Sequence, residues 1–223
     1  MEKGSCFAYN KCIGSVAPAP GTKNKHTDPF ALTRRIQESR ERELIMRKLR
    51  VAIIGQGRSG RNIHAEYFRL PQETVDVVAV VDPLTVRTER SREDFGCDVY
   101  GDYRELFSRD DIDLIVNATY SYMHIPVTME FLERGFNVVT EKPAAIKADD
   151  FEKAMALAKK KGVKLAVFQN SRFAAYYQKV KSIVDSGVLG RIVEVNISFS
   201  GFARRWDWQT LQSFGGGNLY NTG

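Results

Sequence analysis

The feature that most restricts what this chain can fold into is the hexapeptide Gly55-Gln56-Gly57-Arg58-Ser59-Gly60, because of where it stands. An apolar run, Leu49 to Gly55, leads into it, and a helix-compatible run, Ser59 to Leu70, leads out. Between a strand and a helix, three glycines at this spacing have separate uses. The first makes the tight turn, the second lets a pyrophosphate approach the backbone, and the third lets the helix pack on the strand. The helix N-terminus then offers N–H groups and a positive dipole to the phosphates. A chance glycine cluster in a surface turn would share the letters but not the setting. The motif predicts dinucleotide binding through Gly55, Gly57, Arg58, Ser59 and Gly60.

Asp82 ends the next predicted strand, 22 residues beyond Gly60. An acid at that distance accepts hydrogen bonds from the adenosine ribose hydroxyls, and its charge repels a 2′-phosphate. NAD is therefore expected in preference to NADP, although Arg87 is near enough in sequence to complicate the charge argument. A strand-terminal Asp that caps the following helix would look the same, and both readings stay open.

The rest of the chain to Phe168 alternates strand and helix. Val75 to Val81 is a near-continuous valine strand, as buried parallel strands are. Short strands follow over Asp98–Tyr100, Asp113–Ala118, Asn137–Thr140 and Lys164–Phe168. Helices are predicted over Arg87–Phe95, Tyr103–Ser108, Ile125–Arg134 (stopped by Gly135) and Ala148–Lys161 (stopped by Gly162). Six strands with short intervening helices specify an α/β fold, a doubly wound parallel Rossmann sheet, over about residues 46 to 170.

The character then changes. Tyr176–Asp185 reads as a helix, and Ile192–Ser200 alternates Ile, Val and Phe with polar residues, the pattern of a sheet with one wet face. Residues 171–223 read as the start of an antiparallel α+β domain that so few residues leave incomplete, so the chain looks truncated at its C-terminus.

Composition bears on partners. The net charge of +6 suggests an anionic polymer until its location is considered. Residues 1–50 carry 11 basic and 5 acidic side chains, whereas residues 51–223 carry 22 of each, so nucleic-acid binding loses its main support. Residues 1–29 are polar and aperiodic and read as a disordered tail. Residues 30–48 are helix-compatible, with Glu38, Glu41 and Glu43 arguing against a mitochondrial transit peptide. Residues 1–45 are expected to be an upstream extension, with Met46 a natural start. No run approaches a membrane span, and Cys6, Cys12 and Cys97 are too scattered for a disulfide framework or a zinc site. A reducing cytoplasm and no metal are the expectations.

Glu141-Lys142-Pro143 follows the fifth strand, at the carboxyl edge of the sheet where such folds bind ligands. A lysine ammonium there points toward the nicotinamide end of the cleft, where it can hydrogen-bond a substrate hydroxyl and favour loss of its proton. Taken together, the Gly55–Gly60 loop, Glu141-Lys142-Pro143, the run Asn170-Ser171-Arg172-Phe173, the Gly187-to-Gly190 turn and Gly215-Gly-Gly-Asn-Leu-Tyr-Asn-Thr-Gly223 resemble the Gfo/Idh/MocA family of glucose-fructose oxidoreductases and inositol dehydrogenases. The resemblance runs from residue 49 to the end. It implies a Rossmann domain followed by an open-faced antiparallel sheet, NAD(P)-dependent hydride transfer to or from a sugar, cyclitol or related polyol, and a homo-oligomer in the full-length form. It makes Lys142 the catalytic lysine, places Glu141 and Thr119 against the cofactor, and leaves Asn170, Arg172, Trp206 and Asn221 as substrate-side candidates.

Three departures accompany it. Thr119-Tyr120 stands where the family usually has Thr-Pro, and Asn221 stands where it usually has an acid. The family's acid/base histidine lies just beyond the glycine-rich segment, and this chain ends at Gly223. His64 reads as a helix-packing residue and His124 as a residue near the cleft. Tyr177 and Lys181 match the spacing of a short-chain dehydrogenase pair, but that class needs a different first glycine turn, and the two fit one face of an ordinary helix. A nucleotide-binding fragment or cofactor-sensing regulator without turnover is the alternative to the enzyme.

Overall fold

The computed structural model of the chain describes residues 47–198, 200–201, 204 and 206–217. The tail and upstream segment expected over residues 1–45 and the candidate Asn221 lie outside the described residues.

Strand β1 (Leu49–Ile54) shows why both faces of the sheet are covered. Successive side chains of a strand point to opposite faces, so Val51 and Ile53 enter one core while Ala52 and Ile54 enter the other. All four are apolar and essentially inaccessible to water. β2 (Val75–Val81) repeats this, with Val80 on the first face and Ala79 and Val81 on the second. Strands apolar on both sides require a helical layer on each side.

The remaining strands are β3 (Asp98–Tyr100), β4 (Leu114–Asn117), β5 (Val138–Glu141) and β6 (Leu165–Phe168). Every adjacent pair is parallel, and the order is β3-β2-β1-β4-β5-β6. The doubly wound parallel sheet is thus present as expected, with strand ends within a residue of their sequence positions. The first crossover, α1, opens as a π-helix, Gly60–Ala65, and continues as an α-helical turn, Glu66–Phe68. It packs Ala65 and Phe68 over Val51, Ile53 and Val116. α2 (Thr85–Phe95) leads into β3. On the opposite face α3 (His124–Glu133) and α4 (Ala148–Lys161) bury Val127, Phe131, Leu132, Ala154 and Ala158. α4 carries Asp149 and Asp150 in its first turn and Lys159 to Lys161 in its last, complementing the helix dipole at both ends.

Beyond β6 a 3-10 turn, Asn170–Phe173, leads to α5 (Ala175–Asp185). The strand expected over Ile192–Ser200 does not form among the described residues. Residues 192–198 are exposed and pair with no strand, Val193 and Ile197 being 82% and 87% accessible. Alternation specifies which face a strand would bury, but a ladder also needs a neighbour to take its N–H and C=O groups.

Candidate functional site

Because the strand order runs outward in opposite directions from β1 and β4, the connections leaving these two strands part to opposite faces and open a crevice at the carboxyl edge. A cleft of about 640 Å³ lies there. Its lining comes from the loop after β1, Asp82 just beyond β2, Arg87 in the first turn of α2, the loop Thr119–His124, Glu141 and Lys142, and residues 207–209.

The glycine loop forms one wall, and its three glycines divide their work. Gly55 has φ +90°, and a Cβ there would stand 2.6 Å from the Ala118 carbonyl oxygen. A Cβ on Gly60 would stand 1.8 Å from the carbonyl oxygen of Gly55. The protein itself requires these two. Gly57 lines the cleft, and a Cβ on it would meet nothing within 4 Å, so the protein's own packing does not require glycine there. Arg58 and Ser59 line the cleft beside it. Helix α1 starts at this point, and the N–H groups of a first turn have no carbonyl partner within their helix. An open cradle and a set of backbone donors fit a pyrophosphate.

Asp82 is buried. Its Oδ2 accepts from the Gln56 backbone N–H at 2.8 Å and its Oδ1 from the Leu84 N–H at 3.0 Å, tying the glycine loop to the start of α2. It also lines the cleft, and Arg87 Nη1 reaches its Oδ2 at 3.2 Å.

At the other end, Glu141 closes β5 as a buried carboxylate. Its Oε1 lies 2.9 Å from His64 Nε2, and its Oε2 accepts the Lys142 backbone N–H at 3.2 Å. His64 sits in the π-helical segment of α1, fully buried, its ring 4.6 Å from that of Phe168. A π-helix changes the angular step between residues and so redirects side chains. Lys142 is half-buried and lines the cleft.

The loop after β4 is tied from within. Buried Asn117 donates to the His124 carbonyl at 3.0 Å and accepts the Thr119 hydroxyl at 2.7 Å, which orients the hydroxyl of a predicted cofactor residue. His124 is also buried. Its Nδ1 lies 2.7 Å from the Pro143 carbonyl oxygen and its Nε2 3.2 Å from that of Thr119, so the ring braces the β4 loop against the turn that carries Lys142. Burial holds its pKa below the ordinary 6.5, against the pull of these two carbonyls. The mouth is aromatic. Tyr120 and Tyr122 stack with centroids 5.6 Å apart and planes 7° apart, and Trp208 meets them edge-on at 5.3 and 6.3 Å.

The structure therefore brings Gly55, Gly57, Arg58, Ser59, Asp82, Thr119, Glu141 and Lys142 to one cleft, with Gly60 packed directly behind it. It does not bring Asn170, Arg172 or Trp206 there. The first two are exposed on the 3-10 turn after β6, and Trp206 is 89% accessible. Tyr177 and Lys181 lie on α5 away from the cleft, where Lys181 pairs with Asp185. Of the segment Trp206-Asp207-Trp208, which the resemblance puts near the substrate, it is Trp208 that lines the cleft, and Tyr122 beside it is a residue that the sequence reading missed. Trp208 opens a 3-10 turn, Trp208–Thr210, that Asp207 caps by accepting the Gln209 N–H at 3.0 Å. Among the described residues no group of three or more His, Cys, Asp or Glu is placed to hold a metal ion, and no helix is long and apolar enough to cross a membrane.

Comparison with known proteins agrees with this geometry. Residues 49–169 match the GFO/IDH/MocA family model, described as an oxidoreductase family with an NAD-binding Rossmann fold. The chain is 29% identical over 181 residues to 2,7-anhydro-N-acetylneuraminate hydratase of Mediterraneibacter gnavus, covering 79% of this chain and 47% of that protein. It is 28% identical over 178 residues to scyllo-inositol 2-dehydrogenase (NADP(+)) IolW of Bacillus subtilis, covering 78% and 49%. The chain thus spans about half the length of these curated relatives. Among solved structures, the WlbA dehydrogenase of Bordetella pertussis in complex with NADH and UDP-GlcNAcA superposes with a TM-score of 0.61 at 26% identity, over 65% of this chain and 42% of that one.

Proposed function

The chain belongs to the Gfo/Idh/MocA oxidoreductase family and carries its NAD-binding Rossmann fold, and on that premise we propose that it is the cofactor-binding part of an enzyme that transfers hydride between a nicotinamide cofactor and a sugar, cyclitol or related polyol. The observation that carries this reading is that the glycine loop, Asp82 and Lys142 line a single cleft. Gly55, Gly57, Arg58, Ser59 and Gly60 hold the pyrophosphate, Asp82 faces the adenosine ribose, and Thr119 and Glu141 lie along the nicotinamide half. Residues after 170 are the start of a substrate-binding domain. The name of the Bacillus subtilis relative, a cyclitol dehydrogenase, supports the substrate class.

Bound nicotinamide supplies the two-electron acceptor or donor. The chain's own contribution centres on Lys142. Its ammonium donates a hydrogen bond to the reacting hydroxyl and favours the alkoxide character that grows as hydride leaves. Glu141 holds the Lys142 backbone through its N–H, and His64 holds Glu141 from the helix that cradles the phosphates. His124 fixes the next carbonyl of the same turn. Tyr120, Tyr122 and Trp208 form an aromatic cluster on the cleft lining, against which a flat ring can pack.

The test is binding of NADH by the chain and, in a protein that carries the chain together with a complete substrate-binding domain, formation of reduced nicotinamide, read by absorbance, from NAD and a panel of cyclitols, hexoses and linear polyols. Turnover that falls about a hundredfold or more in Lys142→Ala is expected. Turnover undiminished in that variant contradicts the role of Lys142, and failure to bind any nicotinamide cofactor contradicts the whole reading.

A further inference from the structure

The aromatic cluster on the cleft lining is built from two distant parts of the chain. Tyr120 and Tyr122 belong to the loop after β4, which His124 braces against the Lys142 turn through the carbonyls of Thr119 and Pro143. Trp208 stands on a loop that closes on itself: the Gly217 N–H donates to the Gln209 carbonyl at 2.8 Å and the Gly216 N–H to the Leu211 carbonyl at 3.0 Å. That loop is seated at two further points. The rings of Phe214 and Tyr122 lie 5.1 Å apart, and Gly215 packs so closely on Ile146, in the stretch after Lys142, that a Cβ there would stand 2.6 Å from the Ile146 side chain. The chain's own packing therefore fixes where Trp208 stands. The rings lie in two planes, Tyr120 and Tyr122 within 7° of parallel and Trp208 inclined to them by 75° and 81°. Tyr122 is flanked by Tyr120 and Phe214, whereas Tyr120 stays 48% accessible. Tyr120 and Trp208 thus make two walls of a corner close to a right angle, on the cleft that Lys142 also lines.

From this geometry we infer that Tyr120 and Trp208 select a ring polyol over an open-chain one, by holding the C–H face of the ring while Lys142 meets a hydroxyl on its rim. The inference rests on the function proposed above and narrows its substrate class. An aromatic ring carries partial negative charge on its face. A saturated ring with equatorial hydroxyls has the complementary shape and charge: its axial C–H bonds, made slightly positive by the neighbouring oxygens, cover both faces, and its hydroxyls point outward around the rim. One aromatic wall takes such a face, and the rim remains free for a lysine donor and for water. An open-chain polyol has no such face, and ordering its rotatable bonds costs binding free energy that ring closure has already removed. Neither wall carries a charge, which suits an uncharged ligand. Trp208 lies in the segment beyond residue 170 that the proposed function assigns to the substrate, so the corner belongs to the substrate side of the cleft.

The experiment is titration of the chain, loaded with NADH so that no polyol is oxidised, with scyllo-inositol and with sorbitol, followed by saturation-transfer NMR on the polyol C–H signals. The two polyols match in carbons and hydroxyls and differ in ring closure, and scyllo-inositol has every hydroxyl equatorial. The ring is expected to bind at least about tenfold more tightly. Tyr120→Leu and Trp208→Leu keep an apolar side chain but no aromatic face, and each is expected to weaken scyllo-inositol about three- to tenfold while changing sorbitol by less than about twofold. Tyr120→Phe is expected to bind the ring as the wild type does. Tyr120 is largely exposed, so its variants keep the test open if Trp208→Leu unseats its loop. Failure of the NADH-loaded chain to bind scyllo-inositol, equal affinity for the two polyols, or ring affinity unchanged in Tyr120→Leu overturns the inference. So does a loss confined to NADH, which would put the cofactor's own ring in the corner. No binding of NADH by the wild type overturns instead the reading on which the inference rests, so the NADH arm tells the two failures apart.

Discussion

His64 Nε2 and Glu141 Oε1 lie 2.9 Å apart with both side chains out of solvent, joining the helix that follows the glycine loop to the strand end that precedes Lys142. A buried carboxylate that loses its partner keeps its desolvation penalty. His64→Ala is therefore expected to destabilise the chain by roughly 3 kcal/mol, measured as a fall in the urea midpoint at constant slope. In a double-mutant cycle with Glu141→Leu the two losses should fall short of additivity by at least about 1 kcal/mol, because the second substitution removes the stranded charge.

The glycine loop separates what the protein needs from what its ligand needs. Gly55→Ala meets backbone and an unfavourable φ, and Gly60→Ala collides with the Gly55 carbonyl, so both are expected to lower thermal stability substantially. Gly57→Ala meets only open space and should change stability by less than about 1 kcal/mol. Calorimetric melting of the three variants distinguishes these outcomes.

His124 makes stability depend on pH. Its folded-state pKa lies below the unfolded value of 6.5 chiefly because burial penalises the imidazolium. The sign follows from linkage: above 6.5 both states are neutral and the full stability is present, and below it the unfolded chain takes up a proton that the folded one resists. Stability is therefore expected to fall as pH drops from 7 toward 5, by at most about 1.4 kcal/mol per pH unit from this group. Urea midpoints at the two pH values should differ less in His124→Gln than in the wild type.

Cys97 is buried beneath α1 and α2, and burial pushes its thiol up to about 11. The reactive species is the thiolate, so Cys97 should remain unmodified by a maleimide at pH 7.5 in the native chain and react fully in urea. Peptide mapping by mass spectrometry reads this directly, and native labelling of Cys97 would contradict the packing.

How much of this was legible in the sequence depends on the range of the interaction that decides it. The sheet was legible because Val51 to Ile54 and Val75 to Val81 are apolar on both faces, and only a parallel sheet between helices buries such strands. The glycine loop was legible because its three positions act locally. The role of His64 was not: a packing residue was the expectation, and its partner Glu141 lies 77 residues away with no pattern connecting them. The Arg87–Asp82 pair was half legible, since proximity in sequence showed both charges but not that they touch. The alternation over Ile192–Ser200 misled for the opposite reason, since it describes one strand's faces and says nothing about a pairing neighbour.

The central claim is that the cleft at the sheet's carboxyl edge holds a nicotinamide dinucleotide against the glycine loop. Isothermal titration with NADH, in the wild-type chain and in Gly57→Trp, tests it most directly. The account predicts one site per chain in the wild type and a loss of at least about a hundredfold in affinity when the indole fills the cradle, with the melting temperature retained. Equal NADH affinity in the two proteins, or no binding in the wild type, would contradict it.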